Sequence, residues 1–344
     1  MTPKTAVRSV ECVLESGLAH HTLEVRWHAG EPLVVGVGYY REVMKLLRES
    51  VAISASSTTL RHTLQTNGSL IDDDWCSLFL EENIEVGISI DGPAHLHDRN
   101  RRTKSGRGTH EATIGAINLL RKRGIPFTII AVLTIDSLGR ADELYEYFAG
   151  LGATQVGFNV EETEVRNEQS SLSVPCAADG LQRFLHRFYE LARDGRVRCR
   201  EFEEMKDSIL SSEEMKSSLM TAPGAIVCVG WNGDVTGFSP ELLGHMHPQY
   251  GSFLFGNVHQ NMLLEMLRSP TFLLMHNDIQ QGVLNCQAEC RYFPLCGGGA
   301  PSNKLGENGA FQSTSTLYCT FRYKATADIV LYGLEAELGI RRVD

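Results

Sequence analysis

The chain has 344 residues, enough for one large domain and a smaller one, and its 42% hydrophobic and 22% charged residues are ordinary for a globular protein. Its net charge of −10 makes a nucleic-acid backbone a poor partner. No apolar run approaches the ~20 residues of a membrane span, and the first residues lack the apolar core of a signal peptide. We therefore expect a cytoplasmic protein with reduced cysteines and no membrane partner.

The first 160 residues alternate between helical and strand patterns. Thr2-Pro3 resembles a helix start, and an apolar stripe from Val7 to Leu14 predicts a helix that Gly17 ends. Strand patterns follow over residues 23–27, 60–66, 85–90, 127–133 and 154–160, with helical patterns between successive strands. The apolar run 127–133 is typical of a parallel strand covered on both faces. Strands joined by helical crossovers of this length should be parallel.

Distinctive turns end the first three predicted strands. They read Gly30-Glu31-Pro32, Asn67-Gly68 and Asp91-Gly92. Ligands of parallel α/β folds lie outside the carboxyl ends of the strands, so these turns should line one site. The alternative is that glycine, asparagine and aspartate simply form turns there.

The second half begins after a polar stretch that contains Pro175. An amphipathic helix is predicted from Leu181 to Ala192 and a polar helix over about residues 201–220. Asn232-Gly233 predicts a hairpin within residues 227–238, and a last helix should cover about 323–338. We predict three regions: a partial barrel (1–178), a helical connector (179–225) and a cysteine-rich domain with the last helix (226–344).

Four of the nine cysteines lie close together near the C-terminus. The pattern is Cys286-x3-Cys290-x5-Cys296, a glycine run, and then Cys319. Four thiolates suit an iron–sulfur cluster or a structural zinc ion, and glycine backbone wraps tightly enough to direct N–H groups at sulfur. The alternatives are a disulfide knot or four unrelated buried thiols, and the knot is disfavoured because nothing points to an oxidising compartment. We expect simple thiols at Cys12, Cys76, Cys176 and Cys199.

The turns at the strand ends belong to longer motifs in a fixed order. The motifs are Trp27-His28-Ala29-Gly30-Glu31-Pro32, Gln65-Thr66-Asn67-Gly68, Ser89-Ile90-Asp91-Gly92-Pro93, and His97-Asp98 with Arg101. Together they resemble radical S-adenosylmethionine (SAM) enzymes, and the cysteine region resembles the SPASM domain of maturases. Residues 238–244 and 296–304 are similar to cyclophane-forming maturases of glycine-rich precursor peptides. The resemblance implies an α/β fold, an incomplete parallel (β/α) barrel without its first strand, followed by a small SPASM domain.

The resemblance also implies a binding site. The Gly30-Glu31-Pro32 turn and the Glu31 carboxylate would hold the methionyl amino group, while Ser89 and Asp91 would contact ribose or amino acid. Arg101 would pair with the cofactor carboxylate through a bidentate contact; its neighbours Arg99 and Arg102 are alternatives, and residues 133–134 would lie beside the adenine. The implied SAM contacts are Ala29, Gly30, Glu31, Pro32, Asn67, Ser89, Asp91 and Arg101. The implied ligands of an auxiliary [4Fe–4S] cluster are Cys286, Cys290, Cys296 and Cys319.

The sequence departs from the family pattern in two places. The three-cysteine motif Cys-x3-Cys-x2-Cys, which holds the radical-generating cluster, does not occur, and the chain starts at the first helix. We expect either a longer reading frame or a genuine loss of that segment. A second auxiliary cluster is also lost: Cys228 remains, but Phe238-Ser239 replaces the cysteine and base aspartate of sulfatase-type enzymes.

Three functions compete on this evidence. The first is radical crosslinking of a ribosomally made peptide at an aromatic side chain. The second is sulfatase maturation by formylglycine formation, disfavoured by Phe238-Ser239. The third is a non-catalytic, cluster-bearing scaffold. The expected partners are a precursor peptide, SAM, and an electron donor such as a flavodoxin or ferredoxin. Glu241 and Asp234 are candidate bases by position, although acidic hairpin residues are more often solvated.

Overall fold

A computed structural model describes residues 1–53, 58–163, 169–211 and 218–339. A five-stranded sheet lies at its centre, in the order β1-β2-β3-β4-β5 with every neighbouring pair parallel. The strands are β1 (Thr22–Trp27), β2 (Thr59–Thr66), β3 (Glu85–Ser89), β4 (Phe127–Leu133) and β5 (Gln155–Val160). The predicted parallel α/β sheet is therefore confirmed, strand by strand.

Helices connect the strands as the alternating pattern predicts. In α2 the apolar stripe Tyr40, Val43, Met44 and Leu47 is fully buried, which explains why this segment packs as a helix. The helices of this half are α1 (Pro3–Glu15), α2 (Val37–Ile53), α3 (Asp73–Glu81), α4 (Ala94–Asn100), α5 (His110–Lys122) and α6 (Ala141–Leu151). The short helix α4 lies in the connection that follows β3, and the sequence pattern did not predict it.

Strand β4 is covered less completely than its apolar sequence predicts. Phe127, Ile129 and Ala131 are buried, whereas Ile130 and Val132 between them remain partly exposed. Alternate side chains point to opposite faces of a strand, so only one face of β4 is fully buried in the described chain. The expectation that both faces of β4 are fully covered was therefore wrong.

The second half contains a helical pair and a small antiparallel sheet. The pair is α7 (Ala177–Ala192) and α8 (Arg200–Leu210), and the sheet is β6 (Val227–Val229), β7 (Asp234–Gly237) and β8 (Gly256–Asn257). The hairpin at Asn232-Gly233 is confirmed. The polar helix predicted over 201–220 is shorter, because Ser211 is already extended after Leu210; residues 212–217 lie outside the described residues.

Helices also build the cysteine region, and the longest of them was missed by sequence reasoning. In α10 the Ser269 hydroxyl caps the Phe272 N–H, proline follows at the first helical position, and Phe272, Met275 and Ile279 are buried at helical spacing. These signals are visible in the sequence. The helices are α9 (Leu263–Met266), α10 (Pro270–Glu289), α11 (Phe293–Cys296), α12 (Pro301–Asn308), α13 (Leu317–Cys319) and, after a π-helical turn, α14 (Thr326–Glu337).

The two largest hydrophobic cores do not coincide with the three predicted regions. The larger core joins the sheet to α7, α8 and α14, so Ile329 and Val330 pack with the barrel half. The smaller core, which includes Phe253 and Phe311, also receives Cys12 of α1. The predicted boundaries stay predictions, but each half of the chain supplies residues to the core of the other. No helix in the described parts of the chain has the length and apolar character that crossing a membrane requires.

Candidate functional site

The carboxyl ends of the strands form one continuous edge. Trp27 of β1 pairs with Leu64, and Thr66 of β2 pairs with Ile88. Farther along, Leu133 of β4 pairs with Val160 of β5. Because this register is parallel throughout, the loops that leave β1 to β4 emerge side by side. The site predicted from the turn motifs lies on this edge.

Glu31 joins the first two of these loops. Ala29 and Gly30 both have left-handed backbone, with φ of 73° and 62°, which turns the chain sharply after β1. One Glu31 carboxylate oxygen accepts hydrogen bonds from the Leu33 N–H at 3.1 Å and the Thr66 hydroxyl at 2.7 Å. The other accepts from the Asn67 N–H at 2.9 Å. Glu31 thus holds the turn together, and its contact with a methionyl amino group stays a prediction.

The loop after β2 is anchored further at Asn67. The Thr113 hydroxyl of α5 donates to the Asn67 carbonyl at 3.0 Å, and the Asn67 side-chain oxygen accepts from the Ser69 N–H at 2.8 Å. Gly68 follows with φ of 78° and donates its N–H to the Thr66 hydroxyl at 3.0 Å. The backbone beside the predicted cofactor contact is therefore fixed from two sides.

Asp91 and Arg101 contact each other. Arg101 Nε and Nη2 donate to the two Asp91 carboxylate oxygens at 2.5 and 2.9 Å, and the Val132 N–H donates to Asp91 at 2.9 Å. The other two candidate arginines have different partners: Arg99 pairs with Asp136, and Arg102 donates to the Asp98 carbonyl. Contact of Asp91 and Arg101 with a cofactor stays a prediction.

A buried histidine supports this ion pair. His97 is fully buried; its Nδ1 accepts from the Asp91 N–H at 3.3 Å and its Nε2 lies 3.1 Å from the Thr109 hydroxyl, which donates to the Arg101 carbonyl. Burial lowers the pKa of His97 to about 4; the Asp91 carboxylate opposes this shift, and the Arg101 charge adds to it. A neutral imidazole therefore bridges the two ends of the loop that carries Asp91 and Arg101.

Ser89 lies at the end of β3 beside β2. The Gln65 amide donates to the Ser89 hydroxyl at 2.9 Å. Gln65 crosses directly over Gly87, where a Cβ would lie only 2.1 Å from its side-chain oxygen. Leu133 at the end of β4 is buried, and Thr134 caps the 3-10 turn that follows. The structure therefore gathers the predicted residues at one edge, while their roles toward a ligand stay predictions.

The four C-terminal cysteines line one cavity. The cavity has a volume of about 270 Å³ and is bounded by Cys286, Cys290, Cys296 and Cys319. Burial raises the pKa of the Cys296 thiol, while the N–H groups of Gly298 and Gly299 favour its thiolate. The Thr316 N–H donates to Cys319 Sγ at 3.3 Å. Among the described residues, no three Cys, His, Asp or Glu side chains are close enough together to hold a single metal ion.

The remaining cysteines fall into two groups. Cys12, Cys76 and Cys199 are buried thiols and Cys176 is exposed, as expected. Cys228 on β6 is half-buried, and burial, reinforced by the Glu241 carboxylate, raises its pKa to about 12. Glu241 accepts a hydrogen bond from the Ser239 hydroxyl.

Phe238 belongs to the smaller core. It is buried with a left-handed backbone, φ 66°, and its ring stacks on Phe272 and His276. In this sequence the position therefore serves packing and carries no acid–base group.

Comparison with known proteins identifies the family. The model of the Radical SAM superfamily matches residues 3–148. An uncharacterized protein, sll1766, of Synechocystis sp. is 40% identical over 334 residues, which is 96% of this chain and 84% of that protein. The serine-type anaerobic sulfatase-maturating enzyme of Bacteroides thetaiotaomicron is 25% identical over 320 residues, covering 89% of this chain and 75% of the enzyme.

A solved structure has a similar fold over the whole chain. It is native anSMEcpe with bound AdoMet and Kp18Cys peptide, with a TM-score of 0.75 and 21% identity. The match covers 99% of this chain and 90% of that chain. At this identity the likeness concerns the fold, which both halves of the chain share.

Proposed function

The chain belongs to the radical SAM superfamily, and we propose that it acts in the SAM-dependent maturation of a ribosomally made peptide, joining an aromatic ring carbon to a second side chain. The observation that carries the proposal is the fold: the whole chain, cysteine region included, resembles a protein solved with AdoMet and a peptide bound. When bound, SAM supplies the 5′-deoxyadenosyl group that removes a hydrogen atom from the substrate.

The carboxyl edge of the sheet would bind SAM. The sharp turn from Ala29 to Pro32 and the loop at Asn67 would hold its amino-acid end, with Glu31 fixing both loops. Ser89 would reach ribose or amino acid from β3. Arg101 and Asp91 offer one cation and one carboxylate, complementary to a zwitterion that carries both charges. These assignments rest on the proximity of the residues and on the resemblance.

The cysteine cavity would hold an auxiliary [4Fe–4S] cluster on Cys286, Cys290, Cys296 and Cys319. Its volume of about 270 Å³ supports a multi-atom group, and N–H donors to Cys296 and Cys319 suit thiolate ligands. Zinc is the chemical alternative, because four thiolates suit it as well; the spacing of the described side chains, of which no three are close enough to share one ion, favours the larger cluster. A reducing protein such as a flavodoxin or ferredoxin would supply electrons.

Phe238 favours peptide crosslinking over formylglycine formation. Where sulfatase-type enzymes are expected to carry a cysteine and a base aspartate, this chain has a core aromatic followed by Ser239. To test this, binding of a fluorescently labelled synthetic glycine-rich peptide that contains aromatic residues should be compared with that of a sulfatase-derived peptide. We expect tighter binding of the glycine-rich peptide. When that peptide is co-expressed with residues 1–344 joined to a segment that carries the Cys-x3-Cys-x2-Cys motif, we expect a product that has lost two hydrogen atoms. Tighter binding of the sulfatase peptide would favour the second function.

A cluster-bearing scaffold is the second candidate, and it requires that no segment with a Cys-x3-Cys-x2-Cys motif accompanies residues 1–344, which contain none. Formation of 5′-deoxyadenosine separates the two candidates. This polypeptide alone should form none, because no three-cysteine site leaves an iron open to SAM. An in-frame upstream segment with the motif, expressed together with these residues, should restore the reaction; if it does not, the scaffold is favoured.

A further inference from the structure

We propose that Lys304 is a positioning residue that places a buried positive charge on the thiolate of Cys286 and thereby raises the reduction potential of the auxiliary cluster. This inference rests on the proposed [4Fe–4S] site and adds a residue that the cysteine pattern does not reveal.

The position of Lys304 is unusual for a lysine. It lies in the first turn of α12, and its residue is only 3% exposed to solvent. Its ammonium Nζ donates to the Gly282 carbonyl at 3.0 Å and to Cys286 Sγ at 3.3 Å. None of the ion pairs found among residues 1–53, 58–163, 169–211 and 218–339 includes Lys304. The thiol sulfur is therefore its candidate counter-charge.

Burial makes this contact energetically meaningful. An ammonium group removed from water without a compensating charge is strongly destabilised. A deprotonated Cys286, which is what metal ligation requires, would supply that charge at hydrogen-bond distance. The lysine and the thiolate therefore stabilise each other, and the site is suited to an anionic cluster.

The Lys304 side chain fits against helix α10 because residue 282 of that helix is a glycine. Gly282 and Cys286 are one turn apart, so both lie on the face of α10 that meets α12. A Cβ at Gly282 would lie 3.1 Å from Lys304 Nζ and 2.2 Å from the Phe311 carbonyl oxygen. The neighbouring Asn303, 2% exposed, donates to Glu162 at 2.8 Å and fixes the same turn of α12 to the loop after β5.

A hydrogen-bond donor to a ligand sulfur changes the reduction potential of an iron–sulfur cluster. Hydrogen bonds and positive charge at the sulfurs favour the reduced form, which carries one more negative charge. Lys304 should therefore raise the midpoint potential. Lys324 offers a matched control: it lines the same cavity, but its ammonium donates to the Ser315 hydroxyl at 2.9 Å.

The test is an EPR-monitored dithionite titration of the full chain after anaerobic reconstitution with iron and sulfide, with iron content measured in parallel. We expect K304M to shift the midpoint potential to more negative values or to bind less iron while remaining folded by circular dichroism. K304R should recover most of the shift, and K324M should shift the potential far less than K304M does. If K304M is insoluble, K304Q, which keeps a donor but loses the charge, should show the shift.

The outcomes separate the two proposals. Equal midpoint potentials and iron contents in wild type and K304M would overturn the role of Lys304 and leave the cluster proposal standing. Where K304M is insoluble, the same comparison is made between wild type and K304Q. Equal changes in K304M and K324M would also overturn it, because a general charge effect would suffice. A wild-type chain that binds zinc and no iron would overturn the proposed cluster and, with it, this inference.

Discussion

Replacing Glu31 should loosen the two loops that it joins at the carboxyl edge of the sheet. Its carboxylate accepts three hydrogen bonds, from Leu33, Thr66 and Asn67, two of them from backbone N–H groups. A hydrogen bond to a charged group contributes about 1.5–3 kcal/mol, and removing one partner leaves the other unsatisfied. Since Glu31 is half-buried, we expect Glu31→Ala to lower the free energy of unfolding by about 2–4 kcal/mol.

Glu31→Gln should be milder, because the amide keeps one acceptor oxygen but directs an NH2 group at the Asn67 N–H or the Thr66 hydroxyl. We expect a loss of about 1–2 kcal/mol. Urea unfolding at neutral pH, followed by tryptophan fluorescence, measures both variants. Glu24→Gln is the control: Glu24 also links β1 to β2 by accepting from the Thr63 hydroxyl at 2.9 Å, but it is exposed and should cost less than about 1 kcal/mol.

The affinity for SAM separates two possible roles of Glu31. If it only fixes the loops, Glu31→Ala should weaken both stability and SAM binding, measured by equilibrium dialysis, and Glu31→Gln should be intermediate in both. A variant that loses SAM binding at unchanged stability would instead show direct contact with the ligand. If Glu31→Ala were no less stable than Glu24→Gln, the role of Glu31 in joining the two loops would be refuted.

Single side chains give three further predictions. His97 has a folded-state pKa of about 4 against the ordinary 6.5, so the unfolded state binds more protons between these pH values, and the free energy of unfolding should fall by about 3 kcal/mol as the pH drops from 6.5 to 4. In urea titrations, His97→Gln should flatten this pH dependence of the unfolding free energy, and an unchanged pH dependence would refute the prediction. Gly92→Ala should lower the melting temperature, because φ is 133° and a Cβ would lie 2.5 Å from Leu144; a gain in melting temperature would contradict this. Cys290→Ala should abolish iron loading, while Cys12→Ala, at a buried position of α1, should not; equal iron in both would exclude Cys290 as a ligand.

Much of the barrel half follows from local sequence. Period-2 and period-3.6 apolar patterns decide which segments form strands or helices, and crossovers of helical length force parallel pairing. The five strands, the hairpin at Asn232-Gly233 and the helix α2 were predicted on this basis. The long helix α10 was not predicted although its Ser269-Pro270 start is a local signal, because the spacing of the cysteines does not by itself indicate a helix.

Tertiary contacts determined the side-chain pairings that sequence patterns did not predict. The sequence by itself determined the order of elements, the turns at the strand ends and the spacing of the four cysteines, since each depends on neighbours within a few residues. Only the folded chain showed that Glu31 bonds to Asn67, that Asp91 pairs with Arg101, and that Lys304 reaches Cys286. These contacts join residues on different elements, and the choice of partner depends on packing and burial, which no local period encodes.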